Sequence, residues 1–386
     1  MKIGIVGYGK MGRGIFSLFS DAGLPVKVFV RDPAKAAQAA ARLEKRLARA
    51  LRDGALTEAD IERQGLAFCS DLEGLRDSDL VIETIAEDFE LKADLLRRLE
   101  PLLAPEALIA TNTSSLSVTD LAGLLQRPER SCGLHFFHPV QLTTIVEIIR
   151  ARQTSDATVG TAEEIARAVG KRPIVVRDLP GSCVNIPLSF QICESLCILE
   201  QGLALPSHLD ALVEEVVRVG PCTSADVVGL PLVTAATERS LRALPTAFAL
   251  PELGRRLVAD GRHGKAAGRG IFRYREDRPV DDDSTYYRNP DQSHSRGGRA
   301  SDEALRERML ASIYYPVLLM ANLGLGSLED LCAGIADVIG LKFDPLVEMR
   351  RLGSTGMRAL FERLAAELGP RYDCGPVQGI LTRLDR

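Results

Sequence analysis

Five histidines are spread along the chain, and one stands in a setting suited to proton transfer. His135 lies in Gly133-Leu-His135-Phe-Phe-His138-Pro-Val140, and Ile145-Val-Glu147-Ile-Ile follows shortly after. Histidine titrates near neutral pH, so it can take a proton from an alcohol and return it. A carboxylate on its far ring nitrogen would fix the tautomer and stabilise the imidazolium. The competing assignment is a satisfied core histidine between Leu134 and Phe136. A metal set of His135, His138 and Glu147 is set aside, because strand-like surroundings and Pro139 do not give the helical spacing of a zinc motif. Asn112, Thr113, Ser114 and Ser115 directly follow a strand at 108–111. They therefore fall at the carboxyl edge of a sheet, where ligands sit, and their polar groups suit a developing oxyanion or carbonyl.

An alcohol that loses a proton to a base must also lose a hydride, and the start of the chain offers an acceptor site. Gly7-Tyr-Gly9-Lys10-Met11-Gly12 matches G-x-G-x-x-G. It follows an apolar strand at 2–6 and opens a helix at 13–22, the context that gives the pattern meaning. Gly7 permits the tight turn, Gly9 admits the pyrophosphate to the backbone, and Gly12 lets helix and strand pack closely. Free amides and the positive end of the helix dipole, at Lys10 and Met11, would hold the phosphates. A dinucleotide is expected there. The second strand, at 26–30, ends Val28-Phe29-Val30-Arg31-Asp32. Val30 occupies the place of the acid that usually binds the ribose of NAD. Arg31 suits a 2′-phosphate, and Asp32 suits the ribose if the turn is shifted. NAD(H) and NADP(H) both stand.

These residues need a scaffold, and residues 1–180 supply one: strands at 2–6, 26–30, 80–83, 108–111 and 174–177 alternate with helices at 13–22, 33–51 and 58–63. That alternation predicts an α/β Rossmann fold with a doubly wound, mostly parallel sheet. Asp178-Leu-Pro-Gly181 marks a boundary. Residues 181–275 are expected to form an all-α domain, 276–300 a polar linker, and 301–386 a second helical copy. The copies start at Ile186 and Ala311. Each runs from an apolar helix, through Leu-x-x-Gly or Asn-Leu-Gly, to an acidic helix holding Leu209-Asp210 or Leu328-Glu329-Asp330. Each then has a Val-Gly or Ile-Gly turn and another helix. Order and spacing agree better than helical periodicity requires.

The motifs GYGKMGRGI, ETIAEDFELK, TNTSSLSVTDLA, GLHFFHPV, VEII, DLPGSCVN and GRHGKAAGRGIF occur in this order. In them the chain resembles the 3-hydroxyacyl-CoA dehydrogenase family, and its second helical copy resembles the duplicated tail of longer members. The resemblance implies a nicotinamide-dependent oxidoreductase acting on the 3-hydroxyl of an acyl thioester. It implies His135 as catalytic base, Glu147 as its orienting carboxylate, Ser114 near the substrate hydroxyl, and Asn185 helping to hold the substrate oxygen. It also implies nicotinamide- or ribose-side contacts from Glu87 and Lys92, and a late cofactor or acyl contact from Lys265. Asn112 and His138 fall beside the nicotinamide. The chain departs from the family pattern at His138, where Asn is usual, at Ile186, where Arg commonly follows the Asn, and at Val30. A free hydroxy acid, an acyl-carrier-protein thioester and a catalytically idle dinucleotide-binding protein are the alternatives to acyl-CoA oxidation. The basic helix with Lys35, Arg42, Lys45, Arg46, Arg49 and Arg52 suits CoA phosphates or an acidic carrier, or is a solvated face.

With 386 residues and a net charge of −4, two or three domains are expected and no general attraction to nucleic acid. Eight scattered cysteines, none in Cys-x-x-Cys, point to a reduced, cytoplasmic protein. The opening MKIGIVGYG lacks signal-peptide character, and no apolar run is long enough for a membrane span. The second helical copy is expected to cover the first within one chain, giving a monomer with an internal pseudo-dimer or a homodimer through another surface.

Overall fold

The computed structural model describes residues 1–282, 287 and 300–385, without the side chains of residues 63 and 64. The chain divides into two compact units, Met1–Asp178 and Leu179–Arg386.

The first unit is built on an eight-stranded sheet. Its elements run β1 (Ile3–Val6), α1 (Lys10–Asp21), β2 (Val26–Phe29), α2 (Pro33–Arg52), α3 (Glu58–Gln64), β3 (Ala67–Cys69), β4 (Leu80–Glu83) and α4 (Phe89–Leu99). They continue with β5 (Leu108–Thr111), α5 (Val118–Ala122), β6 (Ser131–Phe136), β7 (Ile145–Arg150), α6 (Asp156–Ala168) and β8 (Arg172–Arg177). The strand order is β3-β2-β1-β4-β5-β6-β7-β8. All neighbours are parallel except β6 and β7, which are antiparallel. The central strands are apolar and buried along their whole length, as helix-covered parallel strands must be: Ile-Gly-Ile-Val in β1, Leu-Val-Ile-Glu in β4 and Leu-Ile-Ala-Thr in β5. The expected Rossmann-type sheet is present. Strands β3, β6 and β7 are additions to the sequence-based list.

The second unit is helical: α7 (Ile186–Glu200), α8 (Pro206–Glu214), α9 (Pro221–Val228), α10 (Leu230–Arg242), α11 (Glu252–Ala259), then β9 (Arg273–Arg275) and β10 (Arg278–Val280), then α12 (Asp302–Asn322), α13 (Leu328–Ile339), α14 (Pro345–Leu368) and α15 (Gln378–Leu381). Helices α7 and α12 pack together. Both are buried along most of their length, with Leu305 and Met309 of α12 in one core with Ile192, Leu196 and Leu199 of α7. Among the described residues no helix is long and apolar enough to cross a membrane.

The expected linker at 276–300 needs correction at its start. Arg278–Val280 pairs antiparallel with Arg273–Arg275. Asp282 is nearly buried, with Arg262 and Arg273 against its carboxylate, and Tyr287 is buried as well. Charge pairing turns a polar stretch into a clipped hairpin. Residues 283–286 and 288–299 of the expected linker lie outside the described residues.

Candidate active site

The glycine turn is positioned by β1 and α1. Gly7 has φ +103°, a left-handed value that costs glycine little, and its amide donates to Phe29 O at 3.0 Å. A Cβ on Gly12 would lie 2.2 Å from Gly7 O, so helix and strand touch there backbone to backbone. A Cβ on Gly9 would meet no protein atom within 4 Å. The first bond of the helix runs from Arg13 N to Gly9 O, which leaves the amides of Lys10, Met11 and Gly12 without an intrahelical acceptor. No side chain caps this end, and no acidic residue occupies its first turn. Open space above Gly9 and an uncapped, acid-free helix terminus suit an anionic pyrophosphate.

At the ribose end, Val30 N donates to Cys69 O, and Arg31 is exposed. Asp32 caps α2, its Oδ1 accepting from Ala34 N at 2.9 Å and Lys35 N at 3.4 Å.

The reacting pair sits at the antiparallel seam of the sheet. In the β6–β7 ladder His135 lies directly opposite Glu147, and His135 Nδ1 is 2.9 Å from Glu147 Oε2. Both side chains are buried, and Phe137 packs on the imidazole with ring centroids 4.4 Å apart. Directly opposed side chains on one sheet face come within reach of each other, so register alone pairs two residues twelve positions apart. Asn112 Oδ1 accepts the amide of Phe136 at 2.9 Å, which ties the end of β5 to the strand that carries His135. Lys171, absent from the sequence-based list, holds the intervening loop: its buried ammonium donates to Val140 O at 2.6 Å and to Thr143 O. Val140 packs against Gly14 of α1, and Gln141 donates to Gly14 O. His138 is exposed on this loop; its pKa is lowered by desolvation and by the nearby positive Lys10.

A third cluster joins β4, α4 and the segment after β5. Glu87 Oε1 accepts from Thr113 Oγ1 at 2.6 Å, from the amides of Ser114 and Ser115 at 2.9 Å each, and from Ser115 Oγ at 2.9 Å. Burial pushes the Glu87 carboxyl up, but these bonds and the Lys92 ammonium outweigh it and hold the group below its ordinary value. Lys92 lies beneath this carboxylate. Its side chain is 1% exposed, and its ammonium lies 2.6 Å from Glu83 Oε1, 2.8 Å from Glu83 Oε2 and 3.4 Å from Glu87 Oε2. It supports the cluster from below. Glu83, which also accepts from Thr111 Oγ1 at 2.6 Å, was missed. Its signal was a carboxylate at the end of an otherwise apolar buried strand. Ser114 itself is exposed, with its hydroxyl 3.5 Å from Glu87 Oε1.

Asn185 and Lys265 belong to the second unit. Asn185 is the N-cap residue of α7 without a side-chain cap bond, and Lys265 Nζ lies 4.0 Å from Asp277 and 6.0 Å from the Tyr274 ring centroid.

A mostly parallel sheet, an open glycine turn under a free helix terminus, and a histidine–carboxylate pair near the carboxyl edge define a dinucleotide-dependent dehydrogenase. Residues 2–179 match the 3-hydroxyacyl-CoA dehydrogenase NAD binding domain, and residues 183–274 match the 3-hydroxyacyl-CoA dehydrogenase C-terminal domain. The probable 3-hydroxybutyryl-CoA dehydrogenase of Deinococcus radiodurans is 34% identical over 278 residues, covering 71% of this chain and 100% of its own. The crystal structure of (S)-3-hydroxybutyryl-CoA dehydrogenase from Ralstonia eutropha, 34% identical, covers 71% of this chain and 99% of its own with a TM-score of 0.65. That of the Escherichia coli 3-hydroxybutyryl-CoA dehydrogenase, at 24% identity, shares the fold over 100% of this chain and 98% of its own, with a TM-score of 0.84. The chain belongs to the 3-hydroxyacyl-CoA dehydrogenase family and is an oxidoreductase that uses a nicotinamide cofactor.

Proposed function

We propose that this enzyme interconverts 3-hydroxyacyl-CoA and 3-oxoacyl-CoA with NAD(H), and that His135 is its base. The observation that carries the assignment is the 2.9 Å contact between His135 Nδ1 and Glu147 Oε2. With Nδ1 held by the carboxylate, Nε2 is the nitrogen left for the substrate hydroxyl. It takes the hydroxyl proton as the carbon is oxidised and returns it in reduction. Glu147 fixes that tautomer and stabilises the imidazolium. The nicotinamide, when bound, supplies the hydride acceptor. Glu87 gathers the Thr113, Ser114 and Ser115 donors, which keeps the Ser114 hydroxyl at the sheet edge, and the family resemblance assigns Asn185 to the substrate oxygen.

For the cofactor, Asp32 sets a carboxylate just beyond β2, unfavourable to a 2′-phosphate, which supports NAD. Exposed Arg31 favours NADP and is the second arm of the test. For the thioester, part of the basic face of α2 is engaged locally: Arg49 pairs with Asp53, and Arg46 lies over the Phe16 ring. Arg42, Lys45 and Arg52 are left for CoA phosphates.

Reduction of acetoacetyl-CoA with NADH and NADPH in parallel tests substrate and cofactor together. NADH turnover well above NADPH turnover is expected. His135→Ala is expected to lose about 10²–10⁴-fold in kcat while still binding nucleotide. Undiminished turnover in that variant would remove His135 from the mechanism.

A further inference from the structure

The β9–β10 hairpin carries a row of like charges that the fold does not explain. Arg275 and Arg278 stand directly opposite each other in its ladder, and Arg273 stands two residues before Arg275 on the same strand. Arg269 forms a further antiparallel bridge with Arg273, closed by Gly270 N donating to Phe272 O at 2.7 Å and Tyr274 N donating to Gly268 O at 3.0 Å. Opposed residues share a face of a sheet, and so do residues two apart on one strand. Arg269, Arg273, Arg275 and Arg278 therefore line one face, and all are exposed. A guanidinium keeps its proton in a protein, so each carries its charge. Like charges set directly opposite each other destabilise a ladder.

The described acids of this segment answer one end of the row. Asp282 lies 2.7 Å from Arg273 Nε and 3.6 Å from Arg269 Nη2, and it also holds the fully buried Arg262. One carboxylate reaching both Arg269 and Arg273 agrees with their sharing a face. Asp277 lies 4.0 Å from Lys265, and Asp281 accepts the Ser207 amide at 2.9 Å and its hydroxyl. Buried Asp226 accepts from Ile271 N, Phe272 N and Tyr274 Oη. Glu276 stands exposed in the turn, outside the ladder. Arg275 and Arg278 have neither an ion pair nor a side-chain hydrogen bond among the described residues.

We propose that this face of the hairpin is a binding site for linked phosphoryl groups, such as those of a nucleoside triphosphate or of CoA. The planar guanidinium fork matches phosphate oxygens two at a time. Opposed residues have Cα atoms about 4.5–5.5 Å apart, and residues two apart on a strand about 6.6 Å. A row of forks on that spacing is answered by several phosphoryl groups better than by one. Asp282, anchored on Arg262, steadies Arg273 and Arg269 from beneath, and Arg275 and Arg278 supply the uncompensated charge.

Isothermal titration calorimetry on the full-length protein tests this, with inorganic tripolyphosphate, ATP, CoA and inorganic phosphate as probes. The nicotinamide cofactor is kept saturating so that the glycine turn is occupied. Tripolyphosphate is expected to bind about tenfold or more tighter than inorganic phosphate, and the double variant Arg275→Gln/Arg278→Gln to weaken it about tenfold. The double variant should melt no lower than the parent, so the loss reads the site and not the fold. If the double variant also weakens CoA, the site serves the substrate's own phosphates; a loss confined to tripolyphosphate and ATP makes it a separate nucleotide site. The CoA arm rests on the proposed substrate and the tripolyphosphate arm does not, so the two fail apart. Tripolyphosphate binding that is unchanged in the double variant, or no tighter than that of inorganic phosphate, overturns the proposal.

Discussion

Glu87 is kept charged against its own burial by one ammonium and several donors from a single turn of chain. That arrangement has a definite pH signature. A carboxyl whose folded value is lowered adds stability above its ordinary 4.5 and loses it as pH falls through the lower folded value. Glu87→Gln removes the contribution. The difference in Tm between the parent and this variant should be steady above about pH 5 and should close as pH falls below 4.5. Thermal melts across that range measure it, and a difference that widens toward acid would refute the account. At this scale the sequence showed the chemistry of single residues better than their partners. His135 and Glu147 were legible as base and carboxylate. Their contact entered only through the family resemblance, because residue types alone do not show a pairing that antiparallel register across β6 and β7 sets. The partners of Lys92 were hidden for a related reason: a lysine in a motif looks available until Glu83 and Glu87 are seen closing over its ammonium.

The β1–turn–α1 element separates two roles that glycine plays in one motif. Gly12 is needed by the fold, since its Cβ would lie 2.2 Å from Gly7 O. Gly9 is not, since its Cβ would meet no protein atom within 4 Å. Gly12→Ala should therefore lower Tm and weaken nucleotide binding together. Gly9→Ala should leave Tm within about 1–2 °C of the parent, a shift on the order of 1 kcal/mol or less, and still weaken NADH about tenfold or more, because the added methyl fills the space the pyrophosphate needs. Melts paired with fluorescence titration distinguish the two, and equal Tm losses would show that Gly9 is structural too. This element was readable because its signals are local. Strand β3 was not: it has three residues, all only half-buried. The β9–β10 hairpin was hidden by turn chemistry. It turns on Glu276 and Asp277, both with positive φ, where glycine or asparagine would have announced it.

Across the helical unit, the two segments repeat more than helix order. In the first, α9 gives way to α10 at Gly229 with φ +105°, and in the second, α14 breaks at Gly353 with φ +66°. The helix starts differ: Asp210 reaches from α8 to accept the amides of Cys222 and Thr223 at the start of α9, whereas Asp344 caps α14 itself, accepting from Leu346 and Val347. We propose that the second segment is a copy of the first and covers it. Helix α7 has a consequence for any shortened chain. Its Ile192, Leu196 and Leu199 share a core with Leu305 and Met309 of α12, and its Glu194 depends on Arg308 and Arg371. Without the second copy each uncovered large apolar side chain loses about 1.5–3 kcal/mol of burial. The stranded carboxylate costs about 3–5 kcal/mol more. A chain ending at residue 282 is therefore expected to cover α7 with a second molecule or to precipitate. Light scattering should give twice the monomer mass or aggregates. A monodisperse monomer that keeps its helical signal would mean that the second copy is not what α7 requires.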